Sequence, residues 1–205
     1  MKRLLLAPLL LGFIPSVIAL SIGVKKYLNK RGREDVKYLP NGPDLREFKF
    51  SPLPKEKKNF THSRPFKIIY FGSHGQANNL VNIIKAVKIL KNLHIYFIFV
   101  GDGTEKNKLI EECSNLNNIF FEDSIEQSLM PSKISTADAV IISLKDNSLF
   151  KYGVSPNKLY DAYAIGRPVI TTSAVGCRES VEEGKYTEYS DLLLKSDFLV
   201  KLNLL

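Results

Sequence analysis

Five apolar runs recur in the middle and last third of the chain, FKIIYFG, HIYFIFVGDG, NIFFED, DAVIISL and PVITT, and a stretch with helical character separates most of them. A strand with one wet face would alternate apolar and polar residues. These runs are nearly continuous, which predicts strands buried on both faces. Between the first two, Leu80, Ile83, Ile84, Val87 and Leu90 fall on one side of a helix. In SIEQSLMPSKISTA, Pro131 must begin a new helix or a kink. The pattern predicts an α/β fold, a doubly wound parallel sheet with helices on both faces. Such sheets bind ligands beyond the carboxyl ends of their strands, where the strand order reverses, between the first strand and the fourth.

Two loops belong to that place. The first is GSHGQ, in which Gly72, Ser73, His74 and Gly75 let backbone approach a ligand closely. The second runs from Lys145 to Lys158 and leads into the next helix. Ser155 followed by Pro156 predicts that this helix opens at Ser155, with free N–H groups and a positive dipole end suited to phosphate. Asn157, Lys158 and Asp161 then stand close to one helical face, an amide, a cation and an anion together. The set suits a diphosphate, with Asp161 accepting from ribose hydroxyls. His74 could bind phosphate, act as an acid or be merely solvated. The GDG of residues 101–103 lacks the third glycine of a dinucleotide fingerprint and reads as an ordinary turn.

The net charge of +8 is uneven, with 13 Lys/Arg against 5 Asp/Glu from Lys25 to Lys67. A localised basic surface suits an anionic membrane or a polyanionic acceptor. No aromatic-interleaved basic motif accompanies it, which argues against nucleic acid. Cys113 and Cys177 lie far apart without ligand spacing, so no metal or disulfide framework is expected, and a reducing compartment fits. Leu4 to Val24 has the apolar run of a signal peptide, with cleavage near Ala19, and is long enough to span a bilayer. Its second half also reads as a buried strand followed by a basic helix ending at Gly32. The expected organisation is a hydrophobic N-terminal part over 1–48, a basic, proline-containing linker over 49–64, the Rossmann-like domain over 65–184, and an atypical tail over 185–205.

The series YLPNGPD, YFGSHG, FVGDGTEKNKL, MPSKISTADAVIISL and YGVSPNKLYDAYAIGRPVI, in that order, resembles the donor-binding C-terminal half of the family 4 glycosyltransferases. These are retaining enzymes of GT-B architecture, and the likeness is to members that build bacterial polysaccharide and lipopolysaccharide. It covers roughly Ser16 to Gly184. The resemblance implies a UDP- or GDP-linked nucleotide-diphosphate sugar as donor, a glycan or lipid-linked acceptor, no cofactor, and a cytoplasmic location, including the inner face of the membrane. It implies that Asp161 contacts the nucleotide ribose and that Ser155, Asn157 and Lys158 lie near the diphosphate and sugar. The family's paired glutamates are separated so that the first falls on Gly153 here, leaving backbone at Gly153 and Val154 in its place; no catalytic residue is assigned. Of the family's N-terminal acceptor domain only the last strand and helix are matched, which implies a fragment or a separate acceptor-domain chain. The rival reading is a non-catalytic, membrane-anchored subunit; a third is an exported binding protein.

Overall fold

The structure, a computed structural model, describes residues 16–53, 64–145 and 150–171. These divide into two units, 16–41 with 150–156, and 42–53 with 64–145 and 157–171.

In the first unit, β1 (Val17–Ala19) and β2 (Val36–Tyr38) pair in parallel, joined by α1 (Ile22–Asn29). Ser21 caps α1, its Oγ accepting from the Val24 N–H at 3.2 Å, and donates to the Tyr152 carbonyl at 2.8 Å. Gly23 is needed under that carbonyl, because a Cβ there would lie 2.1 Å from the oxygen. Tyr27 packs against Tyr152 at a tilt of 45°, with ring centres 4.4 Å apart. The apolar span expected over Leu4 to Val24 is therefore not one helix, since residues 17–19 form a strand and Ser21 starts a new element; Leu4 to Pro15 lie outside the described residues. Among the described residues no helix is long and apolar enough to cross a membrane. The basic helix ends at Asn29 rather than at Gly32, which takes a positive φ of 88° just beyond it.

The second unit is built on a five-stranded, wholly parallel sheet in the order β5-β4-β3-β6-β7. Its strands are β3 (Phe66–Phe71), β4 (Ile95–Val100), β5 (Ile119–Glu122), β6 (Ala139–Ile142) and β7 (Val169–Thr171). On one face Ile68, Tyr70, Phe97, Phe99 and Ile141 pack with Leu80, Ile83, Ile84 and Val87 of α2 (Leu80–Ile89) and Leu109 of α3 (Lys106–Glu112). On the other face α5 (Asn157–Ile165) packs on β6 and β7 and against α4 (Met130–Ser135), burying Leu159, Ala162, Ile165 and Ile134. Pro131 sits in the first turn of α4, where its missing N–H costs nothing. The β4–β5 side carries a groove of about 540 Å³ lined by Tyr96, Ile98 and Phe120 among others.

Two polar clamps close the lower end of the sheet. Arg64 donates to both oxygens of Asp138, which also accepts from the Lys67 N–H, so the first residues of β3 and β6 are held in register. Arg167 is 2 % exposed and donates to the carbonyls of Ala137, Ser135, Ile165 and Ser51. Residues 48–51 accordingly belong with the second unit. Phe48 is buried, Phe50 covers Gly166, and the Ser51 N–H donates to Ile165. The linker drawn from residue 49 thus starts inside a packed segment, because its partners are distant in sequence. Arg167→Ala leaves several buried carbonyls without donors, and chemical denaturation should show a loss of about 3 kcal/mol.

Candidate functional site

The strand order reverses between β3 and β6, and these two strands pair only at Ile68↔Ala139 and Ile69↔Val140. Each runs on beyond the last paired position, β3 through Phe71 and β6 through Ile142. The ends part, which opens a crevice at the switch point. Across it the two loops are tied together. The Lys145 N–H donates to the Ala77 carbonyl at 2.8 Å, and Ser143 Oγ donates to that of Asn79 at 3.3 Å. Asn79 holds a left-handed φ of 46° at the entry to α2. Beside them lies a cleft of about 280 Å³ lined in part by Gly75, Gln76, Asn79, Glu105 and Lys145.

Lys158, in the first turn of α5, sends its side chain to the end of β3. Its ammonium lies 4.5 Å from the centre of the Tyr70 ring and donates to the Tyr70 hydroxyl at 3.1 Å. That hydroxyl in turn donates to the Ser73 carbonyl at 2.6 Å, which also accepts from Asn78 Nδ2. Gly72, at φ 113°, leaves the passage open, since a Cβ there would come within 2.6 Å of Lys158 Cε. Burial lowers the Lys158 pKa to about 8. A cation partly withdrawn from water in this way favours an anion that reaches it.

Asp161 follows one turn later and is partly buried. Among the described residues no donor or cation meets its carboxylate, and burial raises its pKa to about 6. Asn157 is exposed as the first residue of α5. The helix thus starts after the expected Ser155. Ser155 instead belongs to the first unit, where its Oγ accepts from the Asn41 N–H at 3.0 Å and its carbonyl from Asn41 Nδ2 at 2.6 Å. Gly153, at φ 96°, and Val154 share that unit, with the Gly153 N–H donating to Phe150.

His74 is not a solvated loop residue. It is fully buried, and its ring centre lies 5.7 Å from that of Tyr70, 6.1 Å from Phe99 and 6.2 Å from Phe121. Its backbone is held on both sides, the His74 N–H donating to Asp102 at 2.7 Å and the Glu105 N–H to the His74 carbonyl at 2.9 Å. Of residues 72–75, Ser73 is exposed, the imidazole is enclosed, and the N–H groups of Gly72 and His74 are donated inward to Val100 and Asp102.

The GDG segment is more than a turn. A Cβ on Gly101 would stand 2.0 Å from the Gly72 carbonyl oxygen, and one on Gly103 within 2.8 Å of the His74 backbone. Both glycines exist so that the loop after β4 can lie directly against the loop after β3. Lys106 then ties the loop after β4 to the end of β5, donating to the carbonyls of Gly101 and Glu122 and to Asp123 Oδ1. Tyr70 and Lys106 were legible only in part. A tyrosine inside an apolar strand and a lysine on the buried side of a helix both demand a polar partner, but sequence does not name it.

Comparison with known proteins identifies the family and the fold. The model of the family described as glycosyl transferases group 1 matches residues 65–201. The chain belongs to that family. The match runs past Gly184, so most of the tail expected to be atypical is part of the family domain in sequence, although residues 172–205 lie outside those described. A probable glycosyltransferase of Pseudomonas aeruginosa, WbjE, is 25% identical over 138 residues, covering 63% of this chain and 33% of WbjE. Sucrose-phosphate synthase from Thermosynechococcus elongatus superposes with a TM-score of 0.66 at 19% identity, covering 87% of this chain and 45% of the synthase. HepE from Anabaena, solved with UDP and glucose, gives a TM-score of 0.63 at 22% identity, covering 84% and 48%. The chain therefore spans about a third of the curated relative and about half of these solved structures. The fold is that of a GT-B glycosyltransferase domain.

Two outcomes follow from the packing. Gly101→Ala drives a methyl into backbone, whereas Gly72→Ala meets only the movable end of Lys158. Urea melts should show the larger loss for Gly101→Ala, and about 1–3 kcal/mol of backbone strain for Gly72→Ala. Asp161 has a folded pKa above its unfolded value, so its contribution favours folding in acid and turns into a cost as pH rises from 3.8 to about 6. Asp161→Asn should therefore be more stable than the unchanged chain at pH 8, by about 1 kcal/mol after allowance for partial exposure. The gap should close toward pH 4.

Proposed function

We propose that this chain supplies the donor-binding half of a retaining glycosyltransferase of family 4. It would take a UDP- or GDP-linked sugar and pass the sugar to a glycan or lipid-linked acceptor in polysaccharide or lipopolysaccharide synthesis, on the cytoplasmic side of the membrane. The observation that carries this reading is the meeting of Lys158 with Gly72 at the parted ends of β3 and β6. In this proposal the backbone of Ser73 and Gly75 and the Lys158 ammonium form the diphosphate seat, with Gly72, whose N–H is already donated to Val100, allowing close approach and Asn157 at the adjoining helix start. Asp161, acidic and under-solvated one turn deeper, accepts from the ribose hydroxyls. Gly153, Val154 and Ser155 enter the proposal on the family resemblance alone.

Such a seat does chemical work as well as binding. When the glycosidic bond to the diphosphate breaks, negative charge grows on the leaving oxygen, and a cation fixed in a dry site stabilises that charge more than water would. Transfer also requires an acceptor held against the donor. Turnover is accordingly proposed for this domain together with an acceptor-binding domain or chain.

Calorimetry tests the reading. UDP or GDP should bind, and Lys158→Ala or Asp161→Ala should each weaken binding by roughly tenfold or more, on the order of 1.4 kcal/mol. Binding should weaken below pH 6 as Asp161 gains a proton. At pH 8.5 it should be accompanied by proton uptake, seen as a buffer-dependent heat, because a phosphate beside Lys158 raises its pKa from about 8. Absence of any complex with either nucleotide ends the proposal.

A further inference from the structure

We infer that His74 is a positioning residue for the 72–75 loop, holding it in shape while its ring is neutral and releasing it when the ring takes up a proton. His74 occupies its place at an unusual cost. Both ring nitrogens of His74 are buried without a hydrogen-bond partner in the described structure. A leucine would fill the same space between Tyr70, Phe99 and Phe121 without leaving polar atoms unpaired, which costs about 1–3 kcal/mol for each such group.

A neutral imidazole tolerates this cage, but an imidazolium does not. The charged ring carries two N–H donors and needs two acceptors, and the cage offers aromatic rings. The charged and titratable groups around it are Lys106 from α3, Lys158 from α5, Asp102 from the loop after β4, and the Tyr70 hydroxyl on β3. Lys106 is itself paired with Asp123 from the end of β5, so exclusion of water from the ring is the larger effect. Burial first, and Lys106 after it, hold the His74 pKa below its ordinary value. A proton would therefore expel the ring, and Ser73 and Gly75 on either side would move with it. The contacts of His74 with Asp102 and Glu105, and its fit over Gly103, would be lost together. The functional consequence rests on the donor-site reading above: the diphosphate seat would come apart in mild acid.

The sign separates this group from Asp161. A histidine with a depressed folded pKa contributes full stability above its unfolded value of 6.5, and that contribution is lost as pH falls toward the folded value. Asp161 slopes the other way. The test uses the full chain without nucleotide, with histidine-ring and backbone-amide NMR followed from pH 8 to pH 4.5. The His74 ring should titrate below 6.5, and the amides of Gly72 and Gly75 should shift with the same midpoint. In His74→Leu that midpoint should vanish, with a Tm at pH 8 equal to or above that of the unchanged chain. A ring that titrates at 6.5 or higher, or amides that stay fixed through its midpoint, would overturn the inference. If His74→Leu does not fold, the titration of the unchanged chain decides alone. Because no nucleotide is present, failure to bind UDP would sink the donor reading and leave this result standing.

Discussion

A lysine ammonium partly withdrawn from water and given a tyrosine instead of a carboxylate is the interaction on which the site depends. Lys158 reaches from α5 to the end of β3 and joins a short chain of donors, ammonium to Tyr70 hydroxyl to Ser73 carbonyl. Withdrawing a cation from water is expensive, and a ring face with one hydroxyl repays only part of it. An anion arriving at the switch point would repay more. The same chain fixes where that anion would sit, since Ser73 lies in the glycine-rich loop.

The loop owes its position to backbone more than to side chains. The segment after β4 lies so close to it that Gly101 and Gly103 have no room for a Cβ. Lys106 binds the underside, spanning Gly101, Glu122 and Asp123, so the ends of β4 and β5 are joined at the level of the loop. Three successive strand ends are thereby set by the chain's own contacts. Preorganisation of this kind spares a ligand the cost of ordering the loop itself.

Much of the framework was legible from sequence because buried parallel strands announce themselves by continuous apolar runs, and all five lie where FKIIYFG, HIYFIFVGDG, NIFFED, DAVIISL and PVITT predict. The switch-point location followed from topology, and Gly72 and Lys158 do meet there. What escaped was set by contacts between residues far apart in the chain. Ser155 has the composition of a helix cap, yet Asn41 claims its oxygen. His74 looked like a loop residue because nothing local reveals that Phe99 and Phe121 enclose it. The GDG segment resembled a turn because a close backbone crossing leaves no mark except the absence of side chains. Phe50 and Ser51 read as linker because their partners, Gly166 and Arg167, come more than a hundred residues later.

The central claim is that one surface, at the parted ends of β3 and β6, receives a nucleotide diphosphate. Amide chemical-shift mapping during a UDP titration addresses it directly. The account predicts that the perturbed amides cluster at residues 72–75 and 157–161. Perturbations centred instead on Tyr96, Ile98 and Phe120, in the groove on the β4–β5 side, would contradict it.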